Sequence, residues 1–202
     1  MGRTPLPLTD GELAESIETH CRLKGRHPRV ARIERRGGHF PSSSAIEEVG
    51  VVDAAGGRTA LIIKDSQPAH FVAAARGVKP LFLLDPAREL RVYREILSPL
   101  DMGTPTLLGA ARERRTRAHL LFLERVRGRP LFEVGNWKAW ESAARWLARF
   151  HARSRLLSRR VDFLLLQAQR FLCRWMSRAR EFARGDGARR RGRPLQDHAD
   201  AQ

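Results

Sequence analysis

The spacing of apolar positions changes several times along the chain, and each change marks an element. Leu13, Ile17 and His20 or Cys21 recur at three and four, behind Thr9 and Asp10, either of which is a capping residue. This predicts a helix from about Asp10 to Leu23. Alternation then takes over. Val30 to Arg35, Ala45 to Val52 and Arg58 to Lys64 read as strands, the last with Ala60-Leu61-Ile62-Ile63 as its apolar body. Asp53-Ala54-Ala55-Gly56-Gly57 is a turn signal, so the second and third strands pair as an antiparallel hairpin. Between the first two, Arg36-Gly37-Gly38-His39-Phe40-Pro41-Ser42-Ser43-Ser44 reads as a loop.

Asp85-Pro86 opens another helix, with Asp85 at the N-cap and Pro86 at the first helical position. Leu90, Tyr93 and Leu97 form its stripe and Pro99 ends it. Two more strands follow, Thr106 to Ala111 and His119 to Val126, around the charged turn Arg112 to Arg117. Gly128 and Pro130 break the last strand, and the pattern beyond is helical. Trp137, Trp140, Ala144, Leu147 and His151 repeat at helical spacing, with Glu141 and Arg145 paired on the other side. The two tryptophans read as core and His151 as a packed histidine. A last helix, from about Val161 to Ala183, carries Leu164, Ala168, Phe171, Trp175, Ala179 and Phe182 on one face and Arg170, Arg174 and Arg178 on another. From Gly185 the apolar period stops, and residues 185–202 read as a basic disordered tail.

Composition narrows the classes. With 202 residues, 42% of them hydrophobic, the chain has the material for a core and is not a disordered sequence. Cys21 and Cys173 are far apart and in no CxxC or Cys/His cluster, which argues against a disulfide framework or a structural zinc site and fits a reducing compartment. Neither a membrane-spanning run nor an apolar signal core within Met1 to Asp10 is present, so a soluble cytoplasmic protein is expected. The net charge is +16, and 34 of the 38 basic residues are arginine. Such a chain is drawn to phosphate-bearing ligands, anionic lipid or nucleic acid. The arginines are spread through every segment, so nucleic acid is not the expected partner. A basic nucleic-acid- or membrane-surface-binding protein using Arg170, Arg174, Arg178 and Arg189-Arg190-Arg191 stays open as an alternative.

The order of elements carries more. Strand, Gly/Ser loop, strand, turn, strand ending in Lys, helix with an internal Glu, two strands, linker and helices resembles the front half of the protein-kinase-like fold. Within that fold the chain resembles the aminoglycoside phosphotransferase and choline kinase family. The carriers are Leu61-Ile62-Ile63-Lys64, the stretch Arg88-Glu89-Leu90-Arg91-Val92-Tyr93-Arg94-Glu95-Ile96-Leu97, then Leu121-Phe122-Leu123-Glu124-Arg125-Val126-Arg127-Gly128, and Ala148-Arg149-Phe150-His151-Ala152. The fold implied is α+β: a five-stranded antiparallel N-lobe sheet with one packed helix, followed by a truncated helical C-lobe. Residues 1–27 would form an N-terminal helix and linker, 28–127 the nucleotide-binding N-lobe, and 128–184 a partial C-lobe.

The resemblance implies ATP, or another nucleoside triphosphate, with Mg2+. Lys64 would place a point charge on the phosphates, and Glu89 would orient it, with Glu95 as the other candidate partner. Read singly, Lys64 is an ordinary lysine after an apolar strand; it gains a role from the ordered motifs around it. Gly37 to Ser44 occupies the place of the phosphate-covering loop, where the hydroxyls of Ser42, Ser43 and Ser44 and the backbone N–H groups would cradle phosphate. It is neither GxGxxG nor a Walker A, and an ordinary polar hairpin loop reads the same way. Glu124-Arg125-Val126 falls at the interlobe linker, whose exposed backbone would pair with an adenine edge.

A complete enzyme of this family continues into a loop resembling His-x-Asp-x-x-x-x-Asn and then a metal-binding Asp. Here His198-Ala199-Asp200 fits the first three letters, which makes Asp200 the candidate catalytic residue, and the only Asn in the chain is Asn136. No protein ligands for a metal are assigned. The resemblance therefore implies a nucleotide-binding part without a complete catalytic loop, as a truncated or frameshifted product or a pseudo-kinase. The small-molecule hydroxyl acceptor would bind outside this part. Apolar residues of the last helices, left without a complete C-lobe, would support self-association.

Overall fold

The computed structural model describes residues 5–37, 42–72, 75, 79–80, 83–158, 162–165 and 169–184. Helix α1 (Asp10–His20) starts on a reciprocal cap. The Thr9 hydroxyl accepts the Glu12 N–H at 3.3 Å, and the Glu12 carboxylate accepts the Thr9 N–H at 2.8 Å. Two of the donors that a helix start leaves unmatched are thereby satisfied. Thr9→Ala is expected to lower stability by about 1 kcal/mol, read as a shift in the urea midpoint at unchanged slope. The helix ends at His20, short of the expected Leu23. Cys21 turns extended and bridges Gly109, and the Arg22 N–H donates to the Leu108 carbonyl at 2.8 Å.

Five strands follow: β1 (Val30–Gly37), β2 (Ala45–Asp53), β3 (Arg58–Asp65), β4 (Leu107–Arg112) and β5 (His119–Glu124). They form one antiparallel sheet in the order β1-β2-β3-β5-β4. The molecule is thus α+β, with five strands where the sequence pattern predicts them, joined in one antiparallel sheet as expected. Period-two alternation puts Val49 and Val51, Leu61 and Ile63, and Leu120 and Phe122 on one face. Leu13, Ile17 and Cys21 of the α1 segment cover that face, with Leu6 and Leu8, and all of these are buried. The N-terminal helix is therefore part of the same core as the sheet.

One partly buried ion pair fastens this cover. Glu47, on the core face of β2, is 4% exposed. Its carboxylate accepts Arg35 Nε at 2.6 Å, Arg35 Nη2 at 2.8 Å and the Leu6 N–H at 2.8 Å. The same guanidinium donates to the Leu8 carbonyl at 2.7 Å. Glu47 raises the pKa of Arg35, against the opposing effect of burial.

On the other face, the chain after β3 passes a short 3-10 turn (Pro68–His70) before a composite helix: α2 (Arg88–Val92), a π-helical turn (Tyr93–Leu97) and α3 (Ser98–Leu100). It begins at Arg88, three residues after the expected Asp85 cap. Asp85 instead closes a turn ahead of it, its carboxylate accepting the Ala87 N–H at 2.9 Å. Nor does Pro99 end the helix. It lies within α3, near the end of the composite helix, and the chain leaves the helix two residues later, at Asp101 in the left-handed region (φ 43°).

Beyond β5 come α4 (Leu131–Val134) and α5 (Trp137–Ser158). Here the expectation of core tryptophans fails. Trp137 is 81% and Trp140 45% exposed, and His151 is exposed as well. Among the described residues of this part, α5 is held at Trp146, whose Nε1–H donates to the Met102 carbonyl at 2.7 Å and whose ring stacks on Phe150. The last helix also differs from its expected span. Asp162 to Leu165 is bent rather than helical, with Phe163 buried, and Val161 and Ala168 lie outside the described residues. The Phe163 carbonyl accepts Arg88 Nε at 3.0 Å, and the Arg91 guanidinium lies 4.1 Å from the ring centroid. These contacts hold the segment away from a helical path.

The described residues fall into two compact units, one up to Leu164 and one from Leu165. The second contains α6 (Gln169–Ala183). No helix among the described residues is long and apolar enough to cross a membrane.

Candidate functional site

Lys64 is the penultimate residue of β3 and alternates with the buried Ile63 and Asp65, so it leaves the sheet on the face away from α1. Its Nζ lies 2.8 Å from Glu89 Oε1 and 2.7 Å from Glu89 Oε2. The expected ion pair between strand end and helix is present. Glu95, the other candidate, pairs with Arg91 at 2.8 Å instead.

Neighbouring residues fix both ends of that pair. Asp65 is fully buried and accepts the Gln67 N–H at 2.9 Å, the His119 N–H at 3.0 Å and His70 Nδ1 at 2.5 Å. It therefore locks the chain directly after Lys64. The Ser66 hydroxyl bonds to the Pro86 carbonyl at 2.8 Å, tying the end of β3 to the entry of α2. Arg88 anchors that entry by donating to the Leu83 carbonyl at 3.0 Å. Burial and the charge of Glu89 both push the Tyr93 hydroxyl up from its ordinary pKa, while burial and then Arg112 push His119 down.

A cleft of about 350 Å³ opens around the pair. Ser42, Ser43 and Ser44 line it together with Lys64 and Glu89, and so do Ser66, Lys79, Asp85 and Arg88. Three cations thus face two carboxylates, an excess of one positive charge. Lys79 touches the Ser43 hydroxyl and lies 4.9 Å from the Phe71 ring centroid. Ser42 accepts the Ser44 N–H at 3.1 Å, which folds the serine run on itself, and the Ser43 carbonyl accepts the Val72 N–H at 3.0 Å. Gly38 to Pro41 of the same loop lie outside the described residues.

The remaining predicted residues are elsewhere. Glu124 ends β5 opposite Leu61, three residues from the Leu121 that faces Lys64, or about 10 Å along the strand. Its carboxylate accepts the Thr106 N–H at 3.1 Å and the Thr106 hydroxyl at 2.7 Å, which holds it below the usual carboxylate range. Val126, past the strand, is 56% exposed. Neither lines the cleft, which is confined to the Lys64 end of the sheet. Asp200 lies outside the described residues. Among the described residues no three His, Cys, Asp or Glu side chains gather as a metal site; Asp85 and Glu89 are the carboxylates the cleft offers to a cation.

Sequence reasoning missed Ser66, Lys79 and Arg88. Arg88 had a signal, since it directly precedes Glu89 at the start of the helix. Lys79 had only its rarity, as one of four lysines. Comparison with protein-family models, with curated proteins and with solved structures finds no match.

Proposed function

We propose that the Lys64 cleft binds the phosphates of a nucleoside triphosphate, as the N-lobe of a protein-kinase-like phosphotransferase of the aminoglycoside phosphotransferase and choline kinase type. The observation that carries this reading is the Lys64–Glu89 pair at 2.7 Å, standing in a cleft whose rim is the serine run 42–44. A lysine ammonium has three N–H donors, so one that meets both oxygens of a carboxylate keeps at least one for a phosphate oxygen, and the carboxylate fixes where it points. Lys79, which touches the Ser43 hydroxyl, and Arg88 add positive charge to the lining. Mg2+ would arrive with the nucleotide and neutralise part of its charge. The γ-phosphate would pass to a hydroxyl of a small molecule.

Transfer itself asks for more than this cleft. Positioning of the acceptor hydroxyl and metal ligands between the phosphates supply most of the catalysis in this chemistry. The chain's single Asn, Asn136, is occupied at the start of α5, where its Oδ1 accepts the Lys138 N–H at 2.9 Å. Nucleotide binding with little or no turnover is therefore the activity expected of the 202 residues.

The test is a titration of the purified chain with Mg2+ and ATP by calorimetry, in parallel with Lys64→Met. Wild type should bind saturably and the variant at least about tenfold more weakly, which corresponds to the loss of one charge-assisted hydrogen bond of about 1.5–3 kcal/mol. The variant's circular dichroism and urea midpoint serve as the folding control. Absence of saturable binding in the wild type, or equal binding by a folded Lys64→Met, would overturn the reading.

A further inference from the structure

We infer that α6 is an anionic-membrane-binding helix, lying in the plane of the bilayer surface. Successive residues of a helix are about 100° apart. On α6 this sets Phe171, Leu172, Trp175, Met176 and Ala179 within one arc of about 140°, and Arg170, Arg174, Arg178 and Arg180 outside it. The division is clean, and both faces are large. On the apolar side Leu172 is 56% and Met176 58% exposed, next to an edge-to-face pair of Phe171 and Trp175 with centroids 6.4 Å apart. On the other side positive charge predominates: α6 and the adjoining Arg184 carry five arginines against one acid, Glu181.

That combination selects the occupant. A polyanion such as nucleic acid would meet Arg170 and Arg180 but leave Leu172 and Met176 in water. A purely apolar groove would cover those two but offer nothing to Arg180, about 40° from Met176 around the helix. The headgroup region of an anionic bilayer offers acyl chains below and phosphates at the level of the helix, so one docking event serves both faces. Arg180, at the edge of the apolar arc, has a stem long enough to lie along the apolar surface while its guanidinium group reaches phosphate. Trp175 belongs to the residue type enriched at this depth. With its charged face, α6 lies on the membrane and does not cross it. Membrane binding through α6 does not depend on what the Lys64 cleft holds.

Full-length chain is sedimented with phosphatidylcholine vesicles and with vesicles of phosphatidylcholine mixed with phosphatidylglycerol. Because the chain is +16 overall, the deciding variant keeps the charge: Leu172→Gln with Met176→Gln removes apolar contact and retains good helix formers. Wild type should bind the mixed vesicles and not the neutral ones, and the Gln pair should lose at least about tenfold in partitioning. Arg170→Gln with Arg180→Gln should lose about thirtyfold, near tenfold or less per arginine at an anionic surface. A wild-type salt series, which needs no variant, should weaken binding without abolishing it. Three results would overturn the proposal: equal binding to neutral and mixed vesicles, full retention of binding in a folded Gln pair, or binding of a duplex DNA oligomer together with failure to bind vesicles.

Discussion

Replacing Arg35 with Met is expected to lower the stability of the first unit by about 3–5 kcal/mol, the range for stripping the partner from a buried charge. The reason lies in the burial of the carboxylate, whose partner guanidinium is itself half-buried. Glu47 is 4% exposed and relies on Arg35 for two of its three short hydrogen bonds, the third coming from the Leu6 N–H. Met fills the space of the arginine stem but supplies no proton, so a carboxylate stays buried with one donor. Loss of the guanidinium also frees the Leu8 carbonyl that it holds at 2.7 Å. The N-terminal strap then keeps the burial of Leu6 and Leu8 and the Leu6 N–H bond but loses its side-chain clamp. Converting the carboxylate too, in Arg35→Met with Glu47→Gln, removes the stranded charge and should recover much of the loss, a coupling that a double-mutant cycle in urea measures directly. A single-variant loss below about 1 kcal/mol, the value of an exposed pair, would show that Glu47 is solvated in the native state.

Nothing in the spelling of the chain singles out this pair. Glu47 and Glu48 stand side by side in a strand, and alternation says only that one of them faces inward. Which one depends on register, and the register follows from Val49 and Val51 being drawn under α1. Pattern does identify the strands, because Leu61-Ile62-Ile63 and Leu120 to Leu123 are apolar runs bounded by turns, and both fall at the centre of the sheet. The Lys64–Glu89 contact was legible for a similar reason: a strand end and a helix start are places where one side chain's direction is constrained. Glu124 and Val126 were not, since a linker's role rests on backbone groups that any side chain accompanies. The tryptophans of α5 show the opposite failure. Helical periodicity reports that a face is apolar and is silent about whether anything packs on it, and Trp137 at 81% exposure has an apolar face with solvent against it. Asp162 to Leu165 carried the same period as the helix after it, yet the carbonyl of Phe163 is held by Arg88, 75 residues earlier in the chain. Tertiary contacts of that range leave no local trace.

Gly109→Ala should be the most damaging of the glycine-to-alanine changes among the described residues. A Cβ on residue 109 would stand 2.0 Å from the His20 carbonyl oxygen and 3.1 Å from the Cys21 Cα. Both are backbone atoms, so no rotamer change relieves the overlap. The approach is built into the fold: the end of α1 bridges β4 here, at an irregularity in the β4–β5 register between Leu107 and Gly109. Either the bridge opens or β4 shifts, and each displaces Ile17 and Cys21 from a core in which both are fully buried. The expected loss is about 3 kcal/mol, the upper end for overpacking. Cys21 supplies a local readout. Burial pushes its thiol up to about 11, so near neutral pH almost no thiolate is present and access is closed. In a Cys173→Ser background, which removes the exposed thiol, Cys21 should react slowly with a maleimide. Adding Gly109→Ala should accelerate that reaction at least about tenfold, since exposure returns the thiol toward its ordinary pKa and opens the path to it. An unchanged rate with an unchanged urea midpoint would mean that α1 and β4 stand farther apart than this bridge requires.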